Sequence, residues 1–186
     1  MSKREEIIEA TKALLWQKGY EATSPRDIQL KSNAGQGSFY HHFPSKQALA
    51  RTAIEEIVDE RISDFEEVMA REGRFKDRIS TYIAQNTKPL LGCRVGRLVW
   101  DSAIDDAELR RPLAHYFRHL ETRLIATLEG EQAAGRVRLT IPAWQIALMI
   151  MSVVQGSYTV SRAMGKARAN DARAALLAFL DLAIVD

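Results

Sequence analysis

The feature that most constrains this chain is the run Ile28-Gln29-Leu30-Lys31-Ser32-Asn33-Ala34-Gly35-Gln36-Gly37-Ser38-Phe39-Tyr40-His41-His42-Phe43. An apolar-periodic segment runs into a short turn. A second short helix follows, opening on small and polar residues. That order is the pattern of a helix-turn-helix, whose second helix enters the DNA major groove. It predicts an N-terminal three-helix unit over residues 1–50 that binds double-stranded DNA.

The flanking residues agree with this reading. Ser2 and Glu5 are spaced as a capping box. Ile7, Ile8, Thr11, Leu14 and Leu15 form a helical stripe, Lys18 falls in its last turn, and Gly19 stands where a helix ends. The next helix starts at Thr23 or Ser24, with Pro25 in its first position. Asn33 tolerates the left-handed conformation that the turn needs. The reading helix is expected over Gln36–His42, broken by Pro44. Ser45 then caps a long helix over residues 46–71, in which Ala50, Ala53, Ile54, Ile57, Val58, Ile62, Phe65 and Met69 recur at three and four. It is too long to serve the small unit alone, so it reads as a connector, closed by Gly73.

Beyond it, helical stretches are predicted at 75–88, 95–104, 107–131, 140–164 and 171–185. Turns are predicted at 89–92, 105–106, 135–140 and 165–170. No sustained strand alternation occurs, so the chain is expected to be all-α, with a second helical domain over 51–186. Of 186 residues, 46% are hydrophobic, enough for a proper core. The single cysteine, Cys93, excludes an intrachain disulfide and a cysteine-based zinc finger, and it fits a reducing, cytoplasmic compartment. No apolar run resembles a signal peptide or a membrane anchor. A formal net charge of +2 neither supports nor opposes DNA binding, because a local patch suffices.

Residues 5–50 resemble the N-terminal domain of the TetR family of transcriptional repressors. The resemblance rests on Glu9-Ala10, Gly19-Tyr20-Glu21-Ala22-Thr23, Asp27-Ile28, Gly37-Ser38-Phe39-Tyr40-His41-His42-Phe43 and Ser45-Lys46-Gln47-Ala48-Leu49. The rest of the chain is similar in size, helix count and the placing of the long helix. Two departures stand out. Asn33-Ala34-Gly35 replaces a common glycine-valine-serine turn, and Gln36 stands where a lysine is common. The resemblance implies a dimer whose last two helices pack against those of its partner. It also implies a small-molecule effector held between the helices of the second domain, whose binding moves the connecting helix and changes the spacing of the two reading heads.

Candidate DNA contacts are Thr23, Ser24, Arg26, Gln36, Gly37, Ser38, Tyr40, His41 and Lys46. Gln36 and Ser38 open the reading helix, where side chains reach base edges, and glutamine can pair with adenine. Gly37 permits close backbone approach. The Tyr40 hydroxyl is expected to donate to a phosphate, and His41 to be exposed and face DNA. Lys46 opens the long helix, where ammonium and free N–H groups suit a phosphate. Thr23, Ser24 and Arg26 open the preceding helix in the same way.

Phe65, Met69, Tyr82, Trp100, Tyr116, Phe117, Met151 and Tyr158 are the candidate walls of an apolar effector cavity. The stripes Ile146, Met149, Ile150, Val153, Val154 and Leu176, Leu177, Phe179, Leu180, Ile184 are candidates for the homodimer interface.

No catalytic, metal or cofactor site is expected. There is no phosphate-binding or dinucleotide fingerprint, and His115 and His119, at i, i+4, want a third ligand. The expected function is a ligand-responsive repressor that binds a palindromic operator as a dimer and is released by a small, mostly apolar effector. The alternatives are a constitutive DNA-binding protein with a purely dimerising second domain, or a thiol-based electrophile sensor through Cys93, if that residue opens a helix beside Arg94.

Overall fold

Ser2 opens the first helix by the reciprocal bonds expected of it. Its hydroxyl accepts the Glu5 N–H, and the Glu5 carboxylate accepts the Ser2 N–H at 2.7 Å. The computed structural model describes residues 1–85, 88 and 90–185. Among them are eight α-helices: α1 Lys3–Lys18, α2 Pro25–Ser32, α3 Gln36–His42, α4 Lys46–Met69, α5 Phe75–Ala84, α6 Ala107–Ala133, α7 Ala143–Met164 and α8 Ala167–Ala183. Two-residue strands, β1 Arg138–Leu139 and β2 Ile184–Val185, pair antiparallel with Arg138 opposite Val185. No helix among the described residues is long and apolar enough to cross a membrane.

The all-α expectation holds, with local differences. Residues 95–104 form two 3-10 turns, Gly96–Trp100 and Ser102–Ile104, rather than an α-helix. Cys93 therefore lies in a loop ahead of the first turn and does not open a helix, and it is half-buried. Pro142 delays α7, and Thr140 turns its N–H to the Ala183 carbonyl. Helix α8 begins four residues earlier than the periodicity suggested and ends in β2. Asn86, Thr87 and Pro89, which belong to the expected helix end and turn at 75–92, lie outside the described residues.

By contacts the chain divides into Met1–Arg61 with Arg94–Tyr116, and Ile62–Cys93 with Phe117–Asp186. The sequence places the boundary at residue 50, whereas the division by contacts falls between Arg61 and Ile62, inside the same helix α4. The first unit also takes in the 94–116 segment, because that segment is tied to α1 and α4 by polar contacts. Arg94 lies over the Trp16 ring and 3.6 Å from Glu60, and Arg51 meets Glu108 at 3.0 Å.

In the first unit α1, α2 and α3 close over Ile7, Ile8, Leu15, Ile28, Phe39 and Phe43, all buried. Lys12 is buried with them. Burial alone would lower its pKa, but the hydrogen bonds its ammonium donates to Glu60 and Glu9 outweigh that and raise it.

In the second unit Phe65, Val68 and Met69 of α4, Phe75 and Ile79 of α5, Leu120, Leu124 and Leu128 of α6, Ile146, Ile150 and Val154 of α7, and Leu176 and Leu180 of α8 are buried. Arg78 ties three helices of this unit. Its guanidinium donates to the Met69 carbonyl at 3.1 Å and to Glu131 at 2.7 Å. The Glu131 carboxyl is held below its ordinary range by Arg136, with Arg78 adding to the effect against burial. A depressed carboxyl stabilises the fold above its unfolded pKa and loses that contribution as pH falls through the folded value. Glu131 keeps Arg136 as a partner, so Arg78→Ala should lower stability by about 2 kcal/mol at neutral pH, through its lost charge-assisted bonds. The deficit should shrink on acidification below the ordinary glutamate range. Denaturant unfolding of both proteins across pH 3 to 7 measures it, and a deficit that does not shrink would show that Glu131 is not the partner.

Candidate nucleic-acid interface

Both ends of α2 are fixed by named contacts. Ser24 caps α2 through the Asp27 N–H, and Asp27 returns a bond to the Ser24 N–H at 2.8 Å. Lys18 meets the same carboxylate at 2.8 Å. The lysine and the serine together hold the Asp27 carboxyl far below the usual carboxylate range. Asn33 adopts the left-handed conformation, with φ 50°, and the Ala34 N–H closes on the Gln29 carbonyl at 3.0 Å. Ala34 is buried, so the small residue does fill a core position.

Helix α3 then presents two faces. Phe39 is fully buried and stacks edge-on against Tyr40, while Phe43 is buried beneath Arg4. Gln36, Gly37, Tyr40 and His41 are exposed, and Ser38 and His42 are half-buried. Ser24 and Arg26 are exposed on α2. Exposed polar groups therefore gather on the two helices of the motif, over a frame of buried aromatics.

Thr23 was expected to face phosphate, but it is buried. Its hydroxyl donates to the Gly19 carbonyl at 2.6 Å, and its N–H donates to the Tyr20 carbonyl. The side chain closes the α1–α2 loop from within. Lys46 is half-buried as well. Its ammonium lies 4.2 Å from the centre of the Tyr20 ring and 3.5 Å from the Glu21 carbonyl. Burial there pushes its pKa down, against the pull of Asp101 and Glu21.

One residue of this unit had no signal in the local sequence. The Asp101 carboxylate accepts the Tyr20 N–H at 2.9 Å and the Glu21 N–H at 3.1 Å, across about eighty residues of chain. Gly19 reads from sequence as a helix stop. Its φ of +83° agrees, but it has a second reason to be glycine: a β-carbon there would stand 2.0 Å from the Asp101 Oδ2.

The eight candidate cavity residues separate. Phe65, Tyr82, Phe117 and Met151 come together with Leu120, Leu124, Ile150, Val154 and Gln155 around a cavity of about 10 Å³. That holds about one water-sized sphere. The Phe65 and Tyr82 rings meet edge-on at 4.9 Å. Met69 is buried outside the lining, and Tyr158 lies against Gly92. Tyr116 is buried in the first unit, and Trp100 belongs there too, 90% exposed. Trp100 was expected in the second domain. The 3-10 turn that carries it faces Leu98 inward and leaves the indole outside. The neighbouring His119 is engaged with Glu66 at 2.8 Å, which also meets Arg123.

The stripes on α7 and α8 also resolve into two sides. Ile146, Ile150, Val154, Leu176 and Leu180 face the chain's own core. Trp144, Leu148, Met149, Val160, Met164 and Leu182 are large apolar residues left exposed on the same two helices.

Comparison with known proteins places this arrangement. The family of bacterial regulatory proteins, tetR family, matches residues 7–58. The HTH-type transcriptional regulator in the lacX 3′ region of Lactococcus lactis subsp. lactis is 30% identical over 162 residues, covering 83% of this chain and 80% of the relative. The HTH-type transcriptional repressor KstR2 of Rhodococcus jostii is 29% identical over 68 residues, 37% of this chain and 33% of that one. A crystal structure of a TetR-family transcriptional regulator from Agrobacterium tumefaciens superposes with a TM-score of 0.84 at 26% identity, covering 96% and 97% of the two chains.

Gly37 yields a test of the interface. A β-carbon at this position would meet nothing within 4 Å, and its φ is not one that requires glycine. Nothing inside the fold asks for glycine in this helix, where alanine is more stable by about 0.5–1 kcal/mol. Gly37→Ala should therefore raise the unfolding free energy while weakening binding to cognate DNA. Thermal melts and duplex titrations check the two signs, and a variant that is more stable and binds equally well would remove Gly37 from the contact surface.

Proposed function

This chain belongs to the TetR family of bacterial regulatory proteins and is a DNA-binding transcriptional regulator; within that class, we propose that it is a dimeric repressor of a palindromic operator, released by a small, mostly apolar effector. The observation that carries the DNA-binding half is the exposed face of α2 and α3 over a buried aromatic frame. Gln36, Ser38, Tyr40 and His41 read base edges, with Gly37 letting the helix come close. Ser24, Arg26 and Lys46 meet phosphates and set the register. Lys46 reaches a phosphate by leaving the Glu21 carbonyl, a bond of 3.5 Å that an anion replaces with a stronger, charge-assisted one.

The exposed apolar side of α7 and α8 supports the dimer. Trp144, Leu148, Met149, Val160, Met164 and Leu182 are large apolar side chains left exposed on these two neighbouring helices. A second copy covers them, and the two-fold symmetry of that pairing matches an inverted repeat.

The effector site is the cavity lined by Phe65, Tyr82, Phe117 and Met151. Its walls are almost wholly apolar, which suits a small hydrophobic molecule. At about 10 Å³ the space must open to admit it. The opening moves Phe65 on α4, the helix that begins at Lys46. Linkage requires the effector to bind the DNA-free conformation more tightly, and a tenfold loss of operator affinity needs only about 1.4 kcal/mol of difference.

Selection from a random duplex pool tests the whole reading. An inverted repeat of roughly 15 to 30 base pairs should be enriched, with affinity that falls steeply with salt as condensed counterions are released. Folded protein that enriches no inverted repeat at low salt would end the reading. Leu148→Glu should yield a monomer by sedimentation that binds the repeat at least tenfold more weakly; a dimer in that variant would move the interface elsewhere. Metabolites that raise the melting temperature should release the repeat. Tight binders that never do so would favour constitutive DNA binding.

A further inference from the structure

The α1–α2 loop adjoins Ser24, Arg26 and Lys46, the residues proposed above to meet phosphate. Its backbone leads into the Ser24 cap and Arg26, and the Tyr20 ring is the platform under the Lys46 ammonium. Two backbone N–H groups of this loop, Tyr20 and Glu21, are satisfied by Asp101, a residue of the 94–116 segment. The fit is close enough that Gly19 has no room for a side chain beside the carboxylate. Nearby, the same segment reaches α4 through Asp106 to Gln47 and Glu108 to Arg51.

We infer that Asp101 is a positioning residue for DNA binding: its carboxylate pins the Gly19–Glu21 backbone and thereby sets Ser24, Arg26 and Lys46 against the phosphates, without touching DNA itself. This rests on the assignment of those three as phosphate contacts. The inference makes a prediction of sign. Asp101 is an anion within electrostatic reach of Lys46. If charge were its only influence, neutralising it would tighten binding to a polyanion. A pin acts in the opposite direction. Asparagine has one acceptor oxygen where the carboxylate has two, so one of the two N–H groups is left facing an NH2, the loop loosens and binding weakens.

The experiment titrates Asp101→Asn, Lys46→Ala, Arg26→Ala and the Asp101→Asn/Lys46→Ala double variant against the selected repeat and a scrambled duplex at several salt concentrations. Thermal unfolding of each protein is recorded alongside. Asp101→Asn should stay folded, lose about tenfold in affinity for both duplexes, and show a salt slope smaller by about one unit. In the double variant the losses should fall short of their product, because both changes remove the same phosphate contact. Unchanged or tighter binding by Asp101→Asn, or fully multiplicative losses in the double variant, overturns the inference. If Lys46→Ala and Arg26→Ala leave affinity and slope unchanged, the phosphate assignment falls and this inference with it. If they weaken binding and Asp101→Asn does not, the inference falls alone. Hydrogen exchange on the unaltered protein needs no variant: the Tyr20 and Glu21 amides should be strongly protected, and exchange at the rate of an open loop overturns the pin.

Discussion

Helix α3 cannot hold itself. It is seven residues long, opens on Gly35 without a side-chain cap, and contains a further glycine. Helices of that length are unstable in water, because the cost of nucleation is not recovered within two turns. What fixes α3 is the burial of Phe39 and Phe43 against α1 and α2, together with the left-handed Asn33 that delivers the chain to it. The exposed residues on the opposite side have a defined direction only because those two rings have nowhere else to go. The rigidity that a groove-reading helix needs is thus supplied by packing beneath it.

A second layer of constraint is polar. The Ser24–Asp27 box, the Lys18–Asp27 pair, the Thr23–Gly19 bond and the Asp101 bonds all converge on the few residues between α1 and α2. A loop with this many satisfied N–H groups is an extension of the helices on either side. Its composition, rich in small and polar residues, does not by itself reveal that order.

Much of the first unit was legible because its signals are local. Caps, the helix-stop glycine and the apolar stripe each involve residues within a few positions of one another, and Ser2, Asn33 and the stripe from Ile7 to Leu15 stand where the pattern put them. Thr23 was misread because a threonine ahead of a helix looks like a cap or a phosphate contact. Only the folded loop shows its hydroxyl bonded four residues back. Asp101 was invisible because a carboxylate that caps a loop about eighty residues away leaves no periodicity. In the second unit the stripes on α7 and α8 were legible as apolar, but which half faces inward depends on neighbouring helices. The 3-10 turns at 96–104 escaped for a related reason. Their apolar residues are dense enough for a helix, but the backbone closes i to i+3, with Leu98 on Val95, Asp101 on Leu98 and Ile104 on Asp101.

The small size of the cavity in the second unit bears on timing. A pocket with room for about one water cannot be entered by diffusion alone; the aromatic walls must first part. For any larger guest the rate of capture is then limited by how often Phe65, Tyr82 and Phe117 separate, and the apparent affinity is scaled down by the fraction of time they do so. On the proposed function, the packing of these three rings therefore sets how much of the effector's binding free energy is spent on opening its own site.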